Sequence, residues 1–136
     1  MQVKKFKELK NEKFTAVLFG VIIGIAVTFI MLFVFSAIYA MTDLEEYVNA
    51  IFATLSLIFG SFFGAMYTVG KLKQKGFING TLVGLFIFMI IFAVSVFISD
   101  NSISLTSMFH LICCLLSGGI SGIIRVNKEI NKKYLK

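Results

Sequence analysis

Four long apolar stretches, each bounded by charged residues, set the rhythm of the chain. No Asp, Glu, Lys, Arg or His falls between Lys13 and Asp43, between Glu46 and Lys71, between Lys75 and Asp100, or between His110 and Arg125. The first three windows hold 29, 24 and 24 residues, and the last holds 14. A helix needs about 20 apolar residues to cross a hydrocarbon core about 30 Å thick. Three windows therefore cross unaided. The fourth crosses once His110 and the uncharged residues back to Asn101 supply its remaining turns. The pattern predicts membrane spans near residues 14–41, 48–70, 77–99 and 106–124, the first long enough to tilt or to project beyond the bilayer.

Small residues recur every four positions within these spans, the spacing that lines up one helix face. Ala16, Gly20, Gly24 and Thr28 do so in the first, and Ser56, Gly60, Gly64 and Thr68 in the second. Gly76, Gly80 and Gly84 open the third; His110, Cys114, Gly118 and Gly122 share a register in the fourth. Lipid tails are as apolar as leucine, so helices in a bilayer associate through close backbone approach, which small-xxx-small (GxxxG) faces permit. The nine glycines at 20, 24, 60, 64, 76, 80, 84, 118 and 122 are therefore the expected helix-packing residues. They crowd one half of each span, while Phe29, Phe33, Phe35, Phe92 and Phe97 fill the other. A bundle waisted at the glycine end is expected. Ser61, Ala65, Gly119 and Ser121 lie beside these faces and offer spans two and four a second close-approach surface, on which a homo-oligomer or a membrane-protein complex could dock.

Composition decides the solvent. With 58% hydrophobic and only 15% charged residues, the chain lacks the polar surface to clothe a water-soluble domain of its 136 residues. The fold class is an all-α integral membrane protein, a single domain built as a four-transmembrane-helix bundle. GVIIG at 20–24 matches GTLVG at 80–84, and SLIFGSFFG at 56–64 matches CLLSGGISG at 114–122. A tandem repeat of two helical hairpins, related by an axis along the membrane normal, would explain both matches. So would coincidence among common GxxxG pairs.

Charge sets orientation. All 13 Lys and Arg residues precede span one, join spans two and three, or follow span four, whereas the other two loops carry only Asp43, Glu45, Glu46 and Asp100. The positive-inside rule places both termini and the central loop in the cytoplasm. Lys4, Lys5, Lys7, Lys71, Lys73, Lys75, Arg125 and Lys128 then meet anionic lipid headgroups, and each lysine near such a surface contributes about 1 kcal/mol. Val3, Phe6 and Leu9 alternate with lysines, as in a short interfacial helix. The first apolar run is about twice the 7–15 residues of a signal-peptide core, and a cleavage after Ala40 would put Ile38, a poor residue, at the −3 position, so an uncleaved span is expected.

Residues 60–84, GSFFGAMYTVGKLKQKGFINGTLVG, with LLSGGISGIIRVNK at 115–128, resemble a family of small four-span membrane proteins of Gram-positive bacteria. That family is a domain of unknown function, sometimes encoded near the accessory subunit of the preprotein translocase. The resemblance covers most of the apolar chain and brings no catalytic residues. It implies a four-helix bundle in a bacterial plasma membrane, linked to secretion or envelope upkeep.

Candidate chemistry is sparse. Cys113 and Cys114 are adjacent and define no disulfide framework. His110 stands alone at a span boundary, and the loop acids have no metal-ligand spacing, so neither a metal nor a cofactor is expected. Asn79 reads as a helix-end cap or an interhelical bond. The basic tails are too short to build a nucleic-acid-binding surface. An enzyme would need a paired nucleophile and base, or embedded acids. A proton-coupled exporter would need a carboxylate inside the membrane. The sequence therefore favours a small non-enzymatic structural or accessory subunit, with a small solute or ion transporter or channel as the alternative.

Overall fold

The computed structural model describes residues 1–98 and 105–135. Asp100 and Asn101 of the third loop, the end of the third span at Ser99, and Lys136 lie outside the described residues. Among those described, the chain folds into four helices: α1 (Gln2–Met41), α2 (Glu46–Leu72), α3 (Gly76–Ile98) and α4 (Leu105–Tyr134). Each is long and apolar enough to cross a membrane. A lipid environment offers backbone groups no partner, so a spanning segment must bond them within itself, and the absence of proline lets all four do so.

Two helices exceed their apolar windows. α1 begins at Gln2 and runs unbroken for 40 residues, about 60 Å, so the basic N-terminal segment is not a separate interfacial helix but the first turns of the span. No glycine or proline occurs before Gly20 to kink it. α4 likewise continues through its charged tail to Tyr134.

The α2–α3 connection is two lysine-marked steps. Lys73 caps α2 in the left-handed region (φ 52°), its N–H bonded to the Val69 carbonyl at 2.8 Å. Lys75 is also left-handed (φ 46°), and Asn79 Nδ2 donates to the Gln74 carbonyl at 2.7 Å. Asn79 thus closes this turn, and among the described residues it makes no interhelical bond. A left-handed non-glycine residue costs about 1–2 kcal/mol. Lys73→Gly should therefore raise the stability of the detergent-solubilised protein by about 1 kcal/mol, read as a higher melting temperature; no rise would mean that Lys73 relaxes out of this conformation.

α1 packs on α2, and α3 on α4. α2 also touches both α3 and α4, and α1 touches α3, whereas α1 and α4 do not meet. The cross-section is a rhombus with α2 and α3 on its short diagonal. Two small apolar clusters fill the centre: Val21, Ala65, Val83 and Ile87, and Leu57, Phe88 and Cys114. Deep burial on α1 stops at Thr28, although the helix continues to Met41. Beyond that level the contacts pass to aromatic rings, Phe35 stacked on Phe52 at 4.8 Å and Phe88 on Phe92 at 5.6 Å. Phe29, Phe33 and Phe97 are exposed, so the tight zone is the glycine end.

Candidate functional site: the glycine and hydroxyl seams

Three seams hold the bundle, and each is built from residues too small to keep backbones apart. In the α1–α2 seam, Gly20 and Gly24 face Gly64 and Gly60. A methyl group added at Gly64 would lie 2.7 Å from the Gly20 carbonyl oxygen, and one at Gly60 2.7 Å from that of Gly24. Threonines close both ends. Thr68 Oγ1 donates to the carbonyls of Ala16 (3.3 Å) and Gly64 (3.1 Å), and Thr28 Oγ1 to that of Gly24 (2.8 Å).

The α3–α4 seam sets Gly76, Gly80 and Gly84 against Gly122, Gly118 and Cys114. A methyl at Gly84 would come within 2.5 Å of the Cys114 carbonyl oxygen, and one at Gly80 within 3.2 Å of the Gly122 Cα. Gly64 meets the Gly20 carbonyl, whereas Gly122 meets that of Gly76, one turn from the position that the matched motifs would align. The two hairpins therefore share their chemistry but differ in register.

The third seam joins the hairpins and is made of hydroxyls. Ser61 Oγ donates to the Cys114 carbonyl (2.9 Å), Ser117 Oγ to that of Ile58 (2.9 Å) and Ser121 Oγ to that of Phe62 (2.7 Å). All three serines are buried. A serine buried between helices gives up water, and the lone pairs of a neighbouring helix carbonyl replace it. Ser61, Ala65, Gly119 and Ser121 thus differ from the sequence expectation. They form no free docking surface but lie inside the chain, and a methyl at Gly119 would come 2.8 Å from the Phe77 ring. Four-residue spacing identifies a small face but not its partner. Here Ser61 and Ser121 are taken up between α2 and α4, Ala65 packs with Val21, Val83 and Ile87, and Gly119 faces α3. Cysteines at 61, 65 and 121 should accordingly give no crosslinks between copies in membranes; a crosslinked dimer from these positions would contradict the seam.

Beyond the seams, His110 Nε2 and Thr54 Oγ1 lie 2.9 Å apart, tying α4 to α2 at the end away from the glycines. At the basic end Arg125 folds onto α2 over Gly70, where an added methyl would lie 2.8 Å from Nε. It also pairs loosely with Glu129 at 3.6 Å. Gly70 reads from sequence as the close of span two, yet α2 runs on to Leu72. Its actual role is to seat an arginine, a function that only the paired helix reveals. Lys71 Nζ sits 5.6 Å from the centre of the Phe19 ring, a cation–π contact, while Lys4, Lys5, Lys7, Lys73, Lys75 and Lys128 are exposed. Among the described residues no three His, Cys, Asp or Glu side chains gather as metal ligands.

Tight seams, hydroxyl bonds spent on backbone and four helices fit to cross a membrane define a small helical membrane protein, its surface apolar and its lipid contact extensive. Residues 13–124 match the family described as Protein of unknown function (DUF3792), and the chain belongs to that family. No curated protein and no solved structure matches it.

Proposed function

We propose that the chain is a non-enzymatic accessory or structural subunit of a bacterial plasma membrane, acting through protein contact. The observation that carries this reading is the fate of its interior hydroxyls. Ser61, Ser117, Ser121 and Thr68 donate to backbone carbonyls of a neighbouring helix, and Thr28 donates to the Gly24 carbonyl of its own helix, so four of these five hydroxyls are engaged in joining helices. The shared glycine chemistry of the two hairpins supports a duplicated origin, with the one-turn register difference acquired afterwards. Association with further copies, or with a larger envelope complex, would use the bulky outer surface, because the glycine faces are occupied. Crosslinking in native membranes, followed by mass spectrometry, should recover a reproducible partner or a second copy. A monomer without crosslinked species that passes solute in liposomes would replace this reading with the transporter or channel.

Both termini and the α2–α3 turn lie at one end of the bundle, which we place in the cytoplasm. The segregation of cations to that end supports the orientation. Reporter fusions after Glu46 and Asn101 should read outside, and those after Lys75 and Lys136 inside. A cytoplasmic signal at Glu46 would overturn the topology.

A further inference from the structure

The first three turns of α1 carry an apolar stripe that nothing among the described residues covers. Val3, Phe6 and Leu9 are 81%, 75% and 51% exposed. They are not scattered. Phe6 and Leu9 line a groove of about 380 Å³ with Lys10, Lys13 and Gln74, so this arm and the α2–α3 turn form its walls. Phe6 and Lys10 also share the open face of the same helix with Gln2, Val3 and Lys7, which extends the stripe toward the N-terminus. The result is an apolar floor with a lysine rim.

Two covers can be set aside. A membrane-surface helix sinks its apolar face about 5–10 Å into the headgroup boundary while lying in the plane. Here the arm is continuous with a span and has no kink, so Phe6 stands roughly 12 Å further along the helix axis than Phe14, at ~1.5 Å per residue. The arm of a second copy is excluded by charge. Residues 1–13 carry five lysines against Glu8 and Glu12, and the neighbouring turn adds Lys71, Lys73 and Lys75. The acids Asp43, Glu45 and Glu46 lie at the other end of the bundle, and Glu129, at the basic end, is engaged with Arg125 at 3.6 Å. What complements an apolar stripe rimmed by lysines is a helix with an apolar stripe flanked by acids.

We infer that the α1 arm, with the turn at Gln74, is a docking groove for an acidic amphipathic helix of a partner protein. The inference rests on the accessory-subunit reading and names the chemistry of the partner. Phe6 and Leu9 insert between apolar residues spaced i, i+3, i+4 and i+7 on the incoming helix, and Lys7, Lys10 and Lys13 meet its carboxylates.

The chain has no tryptophan, so Phe6→Trp places a single reporter in the groove. The full-length variant is reconstituted in zwitterionic nanodiscs, where both membrane faces are open and the result does not depend on orientation or on a native partner being found. The probe is a synthetic 18-residue alanine-rich helix with leucines at i, i+3, i+4 and i+7 and four glutamates flanking that stripe, its helicity checked by circular dichroism. Binding should be micromolar, should shift the tryptophan emission to the blue, and should weaken as salt rises. In the otherwise native chain, Phe6→Ser with Leu9→Ser should weaken binding of a dye-labelled copy of the peptide, followed by its anisotropy, at least tenfold, with an unchanged melting temperature. Three results would overturn the proposal: no binding; equal affinity for a peptide of the same composition with scrambled leucines; or a blue shift in nanodiscs containing phosphatidylglycerol before any peptide is added. The last would assign the stripe to lipid.

Discussion

Gly64→Leu and Gly118→Leu should each lower the melting temperature of the detergent-solubilised protein by roughly 10 °C or more, while Ala37→Leu should change it little. Overpacking a tight interior costs about 1–3 kcal/mol when side chains can yield. At these two glycines the opposing groups are backbone carbonyls, which cannot rotate away. A methyl at Gly64 would already lie 2.7 Å from the Gly20 oxygen and 3.2 Å from the Gly24 Cα, and leucine adds three more carbons. Gly118 faces the Gly80 carbonyl carbon at 3.2 Å from the same added atom, and Ser61 Oγ at 3.2 Å. The helices of each hairpin must then move apart along the whole seam. Each kcal/mol lost corresponds to about 3–5 °C for a domain of this size. Ala37 is exposed on the far half of α1, where leucine meets lipid or detergent. Equal melting temperatures for the three variants would show that the seams are not packed.

A second large effect concerns the joint between hairpins. Ser117→Leu combined with Ser121→Leu should separate the α1–α2 pair from the α3–α4 pair without unravelling either. To read this, a protease site is inserted after Gln74 and cut in the folded, full-length protein. The native halves should remain together on gel filtration in mild detergent, and the double variant should release them. Each serine bond between helices in a membrane contributes only about 0.6 kcal/mol on average, so loss of hydrogen bonding alone would not part the halves. Bulk does. Ser121 is 1% exposed, and leucine there displaces α2 at the Phe62 carbonyl, now 2.7 Å from the hydroxyl. Replacing both serines with alanine provides the contrast and should leave the halves associated. If the leucine variant also keeps its halves together, α2–α3 and α1–α3 packing alone joins the hairpins.

Much of the bundle is written in the spacing of residues. Charge-free windows mark four helices because a bilayer admits only segments that bond their own backbone, and the glycine register identifies the face of each helix able to approach another. The sequence offers no comparable sign of where α1 and α4 begin and end. Hydropathy stops at Lys13 and Arg125, but helix hydrogen bonding does not, and the charged turns continue the rod. That continuity makes the basic arm part of α1 itself, with Val3, Phe6 and Leu9 exposed along it.

Local composition and a period of four are enough to establish the membrane class, the number of helices and the small-residue face on each. The positions of Lys and Arg likewise establish which end gathers the cations. Which face meets which is a property of the assembled bundle. Gly64 takes Gly20 and Gly122 takes Gly76, Ser61 and Ser121 turn inward between α2 and α4, and Gly70 receives Arg125 instead of ending a helix. Such pairings depend on how far one helix slides and rotates against another. A slide of one turn brings the next small residue of a four-residue ladder into the same place, so spacing alone leaves the registers nearly equivalent. The difference comes from the fit of particular side chains, Thr68 at the end of one seam and the serines of another, to carbonyls on a different helix.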